Sequence, residues 1–548
     1  MQSYIQYRRA HRSAEIEVHD KEKFSHAVEK ALGDDSERTQ ETKLILSAVD
    51  SSISKQSENE QPEFTKISQQ SRQTHEDVIL VGWNSSEDSL NPRNFSKVKK
   101  VTTTLIVALI AFVVGAASSM DVAVLPQAAS DLGVSDVVES LATGVYLMGY
   151  AVGAVLAAPF SEVFGRNLVY ISTMFLFCLF IMASALAPNI GSQIVLRFLA
   201  GLFGSTPLVC AGGSVADIWD SKEKTYGFPM YAISSFGGPV LGPVIGSYIG
   251  DGYLNSWRWS EWVTLFLSAL AMLIVFFFMP ETFGPLILKW KASGLRKLTG
   301  SKRYRSEMEL MHKDIWIRIK LSLLRPLQMS TEPIIILMAL YLTVLYIVLF
   351  TFLNGYTFIY KDVYGISQGL SNVIFIGIYI GILLASFLVY PLYKYTERKM
   401  NEAIASGKTH LPPEIRLWYA MLGGSISVPV SLFWMGWTDY SSISIWSPIL
   451  ASVLFGYGVI CIFMTVYMYV IDCYEVYAGS ALTLVTFMRY MTAGGMTVVG
   501  IPFYRNLGTH WTLTIMGCIS SLLVPLPYVF YKWGPQIRKF SKHAVNKY

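Results

Sequence analysis

Twelve apolar stretches, each long enough to cross the ~30 Å hydrocarbon core of a bilayer, recur along this 548-residue chain. They lie near 101–125, 138–158, 168–187, 192–215, 226–250, 259–279, 334–356, 370–392, 417–436, 447–470, 480–502 and 511–531. A charged segment from Pro280 to Pro333 divides them six and six. In lipid the chain must satisfy its own backbone polar groups, so stretches of this kind are helices. Composition agrees: 52% of residues are hydrophobic and 15% charged, against about a quarter charged in soluble proteins. Cys178, Cys210, Cys461, Cys473 and Cys518 fall in or beside apolar segments, with no CxxC and no histidine cluster. That argues against a disulfide framework or a zinc site.

Charge placement sets the expected orientation, because cytosolic loops carry the excess of Lys and Arg. With the N-terminus inside, the inner side holds Lys97, Lys99, Lys100, Arg166, Lys222, Lys224, the cluster from Lys289 to Arg325, Lys394, Arg398, Lys399, Lys408, Arg416, Lys532, Arg538, Lys539 and Lys542. The outer side holds Arg258, Lys361 and Arg505. Both termini are therefore expected in the cytosol. Residues 1–99 are polar and poor in aromatics, and read as a disordered cytosolic tail with short helices such as Lys21–Leu32. The expected organisation is this tail, a bundle over 100–280, a cytosolic loop over 281–333, a second bundle over 334–531, and a short tail over 532–548. The central loop, with Lys289-Trp290-Lys291 and Lys302-Arg303-Tyr304-Arg305, reads as a solvated or amphipathic segment facing an anionic leaflet. Nucleic acid is not an expected partner.

One span is unusual. Gly237-Gly238-Pro239-Val240-Leu241-Gly242-Pro243-Val244-Ile245-Gly246 would break a soluble helix. A membrane helix tolerates it, since neighbours re-satisfy freed backbone groups and glycine permits close contact. The expectation is a closely packed, kinked fifth span at the seam between halves, opposite spans eight and eleven. Span eleven has its own run from Gly494-Gly495 to Pro502.

The halves share a weak signature. Pro159 to Asn167 follows span two and Pro391 to Lys399 follows span eight; both begin with Pro and place Arg eighth. This suggests the parallel repeat of a two-bundle transporter. Further stretches carry a resemblance: Glu162-Val163-Phe164-Gly165-Arg166-Asn167, Leu196-Arg197-Phe198-Leu199-Ala200-Gly201, Gly238 to Gly246, Trp257-Arg258-Trp259, Pro280-Glu281-Thr282 and Asn91 to Ser96. Together they resemble the major facilitator superfamily, and within it the fungal twelve-span drug:proton antiporter branch. Ser247 stands where that branch often has a second glycine, and Phe95 where it more often has Trp. The resemblance implies an all-α membrane protein of twelve transmembrane helices in two six-helix bundles, the major facilitator fold. It also implies that Gly238, Pro239, Gly242, Pro243 and Gly246 form the antiporter helix.

Charge inside the membrane is expensive and usually functional. Asp121 stands roughly 31 Å along span one from Lys100, and Arg197 roughly 30 Å along span four from Asp217, at ~1.5 Å per residue. Both therefore reach the outer third. Paired, Arg197 favours ionised Asp121; separated, the acid takes a proton. The two are candidates for proton coupling, with a solvated Asp121 capping an outer loop as the plain alternative. Arg489, midway along span eleven, needs a partner; Asp472 and Glu475 are candidates to pair with it or to attract a cationic substrate. Tyr146, Tyr150, Asn354 and Tyr356 are further cavity candidates, the last two competing with an ordinary aromatic belt. Glu162, Arg166 and Asp217 are expected to form an inner gate, since exposed ion pairs worth ~0–1 kcal/mol suit states that interconvert.

There is no Walker loop, HExxH or GxSxG, so neither an enzyme nor ATP-driven transport is expected. The expected function is proton-coupled export of small organic cations, drugs or polyamines by alternating access, with the proton gradient as driving force and no cofactor. Uptake of polyamines or related cations is the alternative, and a ligand-binding sensor that moves nothing is a third. A monomer in the plasma membrane is expected, with the vacuolar membrane as alternative site.

Overall fold

Ser96 opens the first span as an N-cap, its side chain accepting from the Lys99 N–H, which satisfies one of the orphan donors of a helix start. From there the apolar stretches become helices. The computed structural model describes residues 1–32, 78–220, 222–249, 256–311, 323–406 and 411–544, in two units.

The larger unit, Ser96–Met279 with Arg318–Tyr548, carries the spans. They are Lys97–Asp131, Asp136–Phe164, Arg166–Ala185, Ile190–Ile218, Lys224–Gly246, Trp259–Phe278, Pro333–Val363, Gln368–Ala405, Pro413–Thr438, Trp446–Tyr474, and a run from Ala478 to Phe540 that holds the last two. That run breaks at Gly508, whose φ of 76° and ψ of 170° are not helical; a residue without Cβ takes that conformation at little cost. Among the described residues, twelve spans in two sixes result. We call the end where span one begins the near end and the opposite end the far end.

Span one changes character where its chemistry lies. The α-helix ends at Ala117 and continues as 3-10 turns over Met120–Val124, with Asp121 inside. There the Ser118 N–H bonds to Gly115 and Ala116 carbonyls. The Val114 carbonyl instead accepts from the hydroxyls of Tyr146, at 3.0 Å, and Tyr150, at 2.5 Å.

Span five is one continuous helix, Lys224–Gly246, with Pro229, Pro239 and Pro243 inside it. Its glycine stripe does not face the seam. A Cβ at Gly238 would strike the backbone of Phe112 and Ala116, one at Gly242 the Ala116 carbonyl at 2.7 Å, and one at Gly246 the Met120 carbonyl at 3.1 Å. Pro239 in turn lies against Gly115. The stripe therefore packs span five onto span one within its own half. Of the run's four glycines Gly237 meets the other half, where a Cβ would lie 2.9 Å from the Tyr379 ring of span eight. The seam has another glycine pair. Gly144 of span two and Gly494 of span eleven each point at the other's carbonyl, 2.6 and 2.5 Å from where a Cβ would sit. The expected partner of span eleven was span five; its observed partner across the seam is span two.

The smaller unit, Met1–Phe95 with Pro280–Ile317, includes part of the tail expected to be disordered with short helices such as Lys21–Leu32. Gln2–Leu32 is a helix that packs along a second helix, Gly284–Thr299. Small residues permit the approach: Gly294 lies 2.9 Å from His11 and 3.2 Å from Ala14 on the added-Cβ measure. Gln6 bonds both backbone groups of Glu281, at 3.2 and 2.6 Å. Lys291 is buried against Glu17 at 3.1 Å, so part of the basic loop is not a solvated face. Ile79–Leu80 pairs in parallel with Tyr304–Arg305. Most of the remaining tail, residues 33–77, lies outside the described residues.

Candidate functional site

Four spans bring charge together at the far end of the N-terminal half. Arg197, seven residues into span four, is 1% exposed. Its Nη2 contacts Asp121 Oδ2 of span one and Glu261 Oε1 of span six, the latter at 2.6 Å. Its Nη1 donates to the Ala117 carbonyl at 3.1 Å, a backbone group beside the turn in span one. Ser260 donates to Asp121 at 3.0 Å and Ser184 to Glu261 at 2.8 Å. Beside them Gln193 donates to Glu139 of span two at 3.0 Å. Asp121 and Arg197 thus meet, as their depths along the chain predicted.

Glu139 and Glu261 were not anticipated. Each is an acid in the first turn of an apolar span, Glu261 directly after Trp257-Arg258-Trp259. That position is a usable signal, but it is also where a solvated helix start places acids. Only the fold shows both to be buried, at 3% and 0% exposure.

The cluster holds three carboxyls and one guanidinium. Burying more carboxylates than one cation can pair is costly. Glu139 Oε2 and Glu261 Oε2 have no hydrogen-bond partner among the described residues. Two acids on different spans, Asp121 and Glu261, thus share Arg197.

A second centre lies mid-membrane between the halves. The cavity there is lined by Tyr150, Tyr231, Ser235 and Phe236 from one half and Tyr346, Phe350, Phe463, Arg489 and Tyr490 from the other. No lining residue is acidic. Tyr150 is thus a cavity residue, as expected. Tyr146 sits one layer further out, bonded to Tyr150 at 2.8 Å, with Arg197 5.6 Å from its ring centroid. Tyr150 in turn meets the Tyr490 ring at 5.2 Å. A continuous set of contacts therefore runs from the ionic cluster through two tyrosines to the cavity.

The other candidates lie elsewhere. Asn354 donates to the Thr497 carbonyl at 2.8 Å, tying span seven to span eleven. Tyr356 stacks on Phe375 at 3.8 Å inside the C-terminal half; it forms no aromatic belt, because the helix turns it inward. Asp472 is paired with Arg416 at 2.6 Å, and Glu475 is exposed, in the strained backbone of the near end of span ten, φ 31°. Neither forms an ion pair with Arg489 among the described residues, and neither lines its cavity. An acid-lined site for organic cations is therefore not what this cavity offers.

The expected inner gate also changes. Arg166 pairs with Asp217 at 3.3 Å, but both belong to the N-terminal half. Glu162 does approach the other half, 3.6 Å from where a Cβ on Gly479 would lie. The bonds that cross the near end are Lys222 to Glu397 at 2.6 Å, Arg416 to Thr225 at 2.7 Å, and Tyr419 to the Thr225 carbonyl at 3.2 Å. At the far end Arg505 pairs with Asp136 and Gln368 donates to the Ala123 carbonyl at 2.7 Å. The cavity is bridged at both ends, an occluded arrangement.

Known proteins share this organisation. Residues 107–498 match the family described as Major Facilitator Superfamily. The chain is 48% identical to the MFS-type transporter kojT of Aspergillus oryzae, over 85% of this chain and 82% of that protein. It is 34% identical to the MFS-type efflux pump MFS2 of Trichophyton rubrum, over 86% and 78%. Its fold is similar to that of the proton:xylose symporter XylE, with a TM-score of 0.58 at 14% identity, covering 80% of this chain and 96% of that one. With its matched family region spanning most of both six-span halves, the chain belongs to the Major Facilitator Superfamily, whose relatives here are fungal membrane transporters.

Proposed function

We propose that this protein exports small organic molecules in exchange for protons, with both termini cytosolic and the cavity opening alternately to either side. The observation that carries the reading is the buried cluster of Asp121 and Glu261 on Arg197, with Glu139 held beside it by Gln193. It lies at the far end, which the charge distribution assigns to the outside. Protons arriving there neutralise acids that otherwise hold Arg197. Loosening Arg197 disturbs the Tyr146–Tyr150 pair and through it one wall of the cavity. Substrate and proton then bias one two-state element, which is what coupling requires. The similarity to a protein named as an efflux pump favours export over uptake. The plasma membrane is the location we assign to it.

The test is proteoliposomes loaded with a pH-sensitive dye and challenged with a panel of organic acids, neutral compounds and amines. At least one compound should drive proton movement in the opposite direction, and Asp121→Asn should abolish it while leaving the protein correctly inserted. Solute movement that ignores a collapsed pH gradient would sink the proposal.

A further inference from the structure

Five arginines among the described residues are buried: Arg166, Arg197, Arg416, Arg489 and Arg538. Four have a carboxylate of this chain. Arg166 has Asp217, Arg197 has Asp121 and Glu261, Arg416 has Asp472, and Arg538 has Glu414. Arg489 forms no ion pair among the described residues, although it is 1% exposed. It is also the arginine that lines the central cavity.

Its surroundings are aromatic. The guanidinium carbon lies 4.6 Å from the Tyr346 ring centroid, 4.7 Å from Tyr490, 5.2 Å from Tyr467 and 5.4 Å from Phe463. Ring faces stabilise the charge and Tyr490 shares a side-chain hydrogen bond with it, but none of these groups supplies a negative charge. Nε and Nη1 have no hydrogen-bond partner among the described residues. A guanidinium is a planar fork of donors whose best-matched acceptor is an oxyanion with two oxygens. Leaving such a cation unpaired inside a membrane protein is costly, and in the other four cases the chain supplies the acid itself.

We infer that the missing acid belongs to the cargo: the central cavity binds a small planar organic carboxylate, its two oxygens on Arg489 and its ring among Tyr346, Tyr490 and Phe463. This deepens the export reading by naming the substrate class, and rests on it only for the direction of travel. Ser235 and Tyr231 on the opposite wall supply polar contacts for the rest of the molecule. Because those groups come from different halves, one ligand touches both bundles, as a cargo carried by alternating access must. A cation meets the reverse situation: a like charge, with no acid in the lining to offset it.

The test is equilibrium binding to purified full-length protein in lipid nanodiscs, at one pH and with no gradient. Failure of proton coupling therefore leaves the result readable. The probes are benzoate, salicylate and picolinate, each matched with its carboxamide and its aminomethyl analogue, read by quenching of intrinsic fluorescence. At least one acid should bind about tenfold or more tightly than its amide, the scale of a charge-assisted hydrogen bond, and the amines should bind more weakly still. Arg489→Gln should erase the acid-over-amide preference, and Arg489→Lys should keep part of it. An amine that binds as well as its acid, no binding by any of the three acids, or a preference that survives in Arg489→Gln would each overturn the assignment. The selectivity series on the unaltered protein decides the matter even if a variant does not fold.

Discussion

Arg197 and Arg489 are both 1% exposed, both on spans that line the contact between helices, and they are set in opposite surroundings. Arg197 is held by two carboxylates and a backbone carbonyl. Arg489 is enclosed by four rings and no acid. The C-terminal half does contain a buried far-end acid, Asp439, 2% exposed, but among the described residues it has no arginine or lysine in ion-pair range. At these two sites the N-terminal half keeps acid and base together, and the C-terminal half keeps Asp439 apart from Arg489, although it pairs Arg416 with Asp472 and Arg538 with Glu414. On the proposed reading the ion cluster takes up protons, and the lone buried cation selects a charge from outside. On that reading the two halves have different work because acids stand differently relative to these two arginines.

The sharpest way to break this comparison is to remove each arginine in turn. Arg197→Gln should cost about 3–5 kcal/mol, because it strands buried carboxylates. Arg489→Gln strands no acid among the described residues and gives up ring contacts and a hydrogen bond with Tyr490, so it should cost less, ~1–2 kcal/mol. Detergent-resistance melts of the two variants measure the difference, and equal losses would mean that Arg489 has a structural partner after all.

The acid left alone comes next. Burial pushes Asp439, just beyond span nine, up to about 6, with Thr509 and His510 only partly offsetting it. Its folded-state value thus lies above the ordinary 3.8. The sign follows: the neutral acid is the stabilising form, its contribution is full below about pH 4, and it is lost as pH rises through about 6. Asp439→Asn should therefore stabilise the protein by about 1–3 kcal/mol at pH 7 and by nothing near pH 4. Melting curves across that range check it, and a pH-independent gain would show that packing is responsible.

Glycines test whether the halves are joined or merely adjacent. Gly242→Ala drives a Cβ into the Ala116 carbonyl of span one and should cost about 1–3 kcal/mol as overpacking within one half. Gly494→Ala drives one into the Gly144 carbonyl across the seam. The protein should then fold normally but leave the occluded arrangement, seen as longer spin-label distances between spans two and eleven. If both variants only lower stability, the seam is not a moving surface. The smallest effect belongs to the half-exposed bridge from Lys222 to Glu397. Lys222→Gln should change stability by ~0–1 kcal/mol while raising the rate of near-end opening, read from cysteine accessibility in the cleft.

Much of this was legible in the chain. Helix number, their division into two sixes, and the meeting of Asp121 with Arg197 all follow from quantities that accumulate along sequence: apolar length, charge placement and rise per residue. Glu139 and Glu261 were visible as acids at helix starts, but sequence cannot distinguish an acid facing water from one facing a neighbouring span. The tail shows the same limit. Its composition lacks the apolar content of a core, yet Ala10, Ala14 and Gly294 let two helices pack closely enough to bury Lys291.

The glycine–proline run of span five marks the division most clearly. By itself the sequence determined that this helix must lie close to another, because four glycines in ten residues remove the side chains that would hold a neighbour away. It also determined that Arg197 and Arg489 lie within the membrane and need partners. Only the tertiary structure decided that the close neighbour is span one, that the seam glycines are Gly144 and Gly494, and that Arg197 finds acids while Arg489 finds rings. The physical reason is rotational. Sequence fixes how far along a helix a residue lies, at ~1.5 Å each, whereas the direction its side chain points is set by the packing of all twelve helices at once.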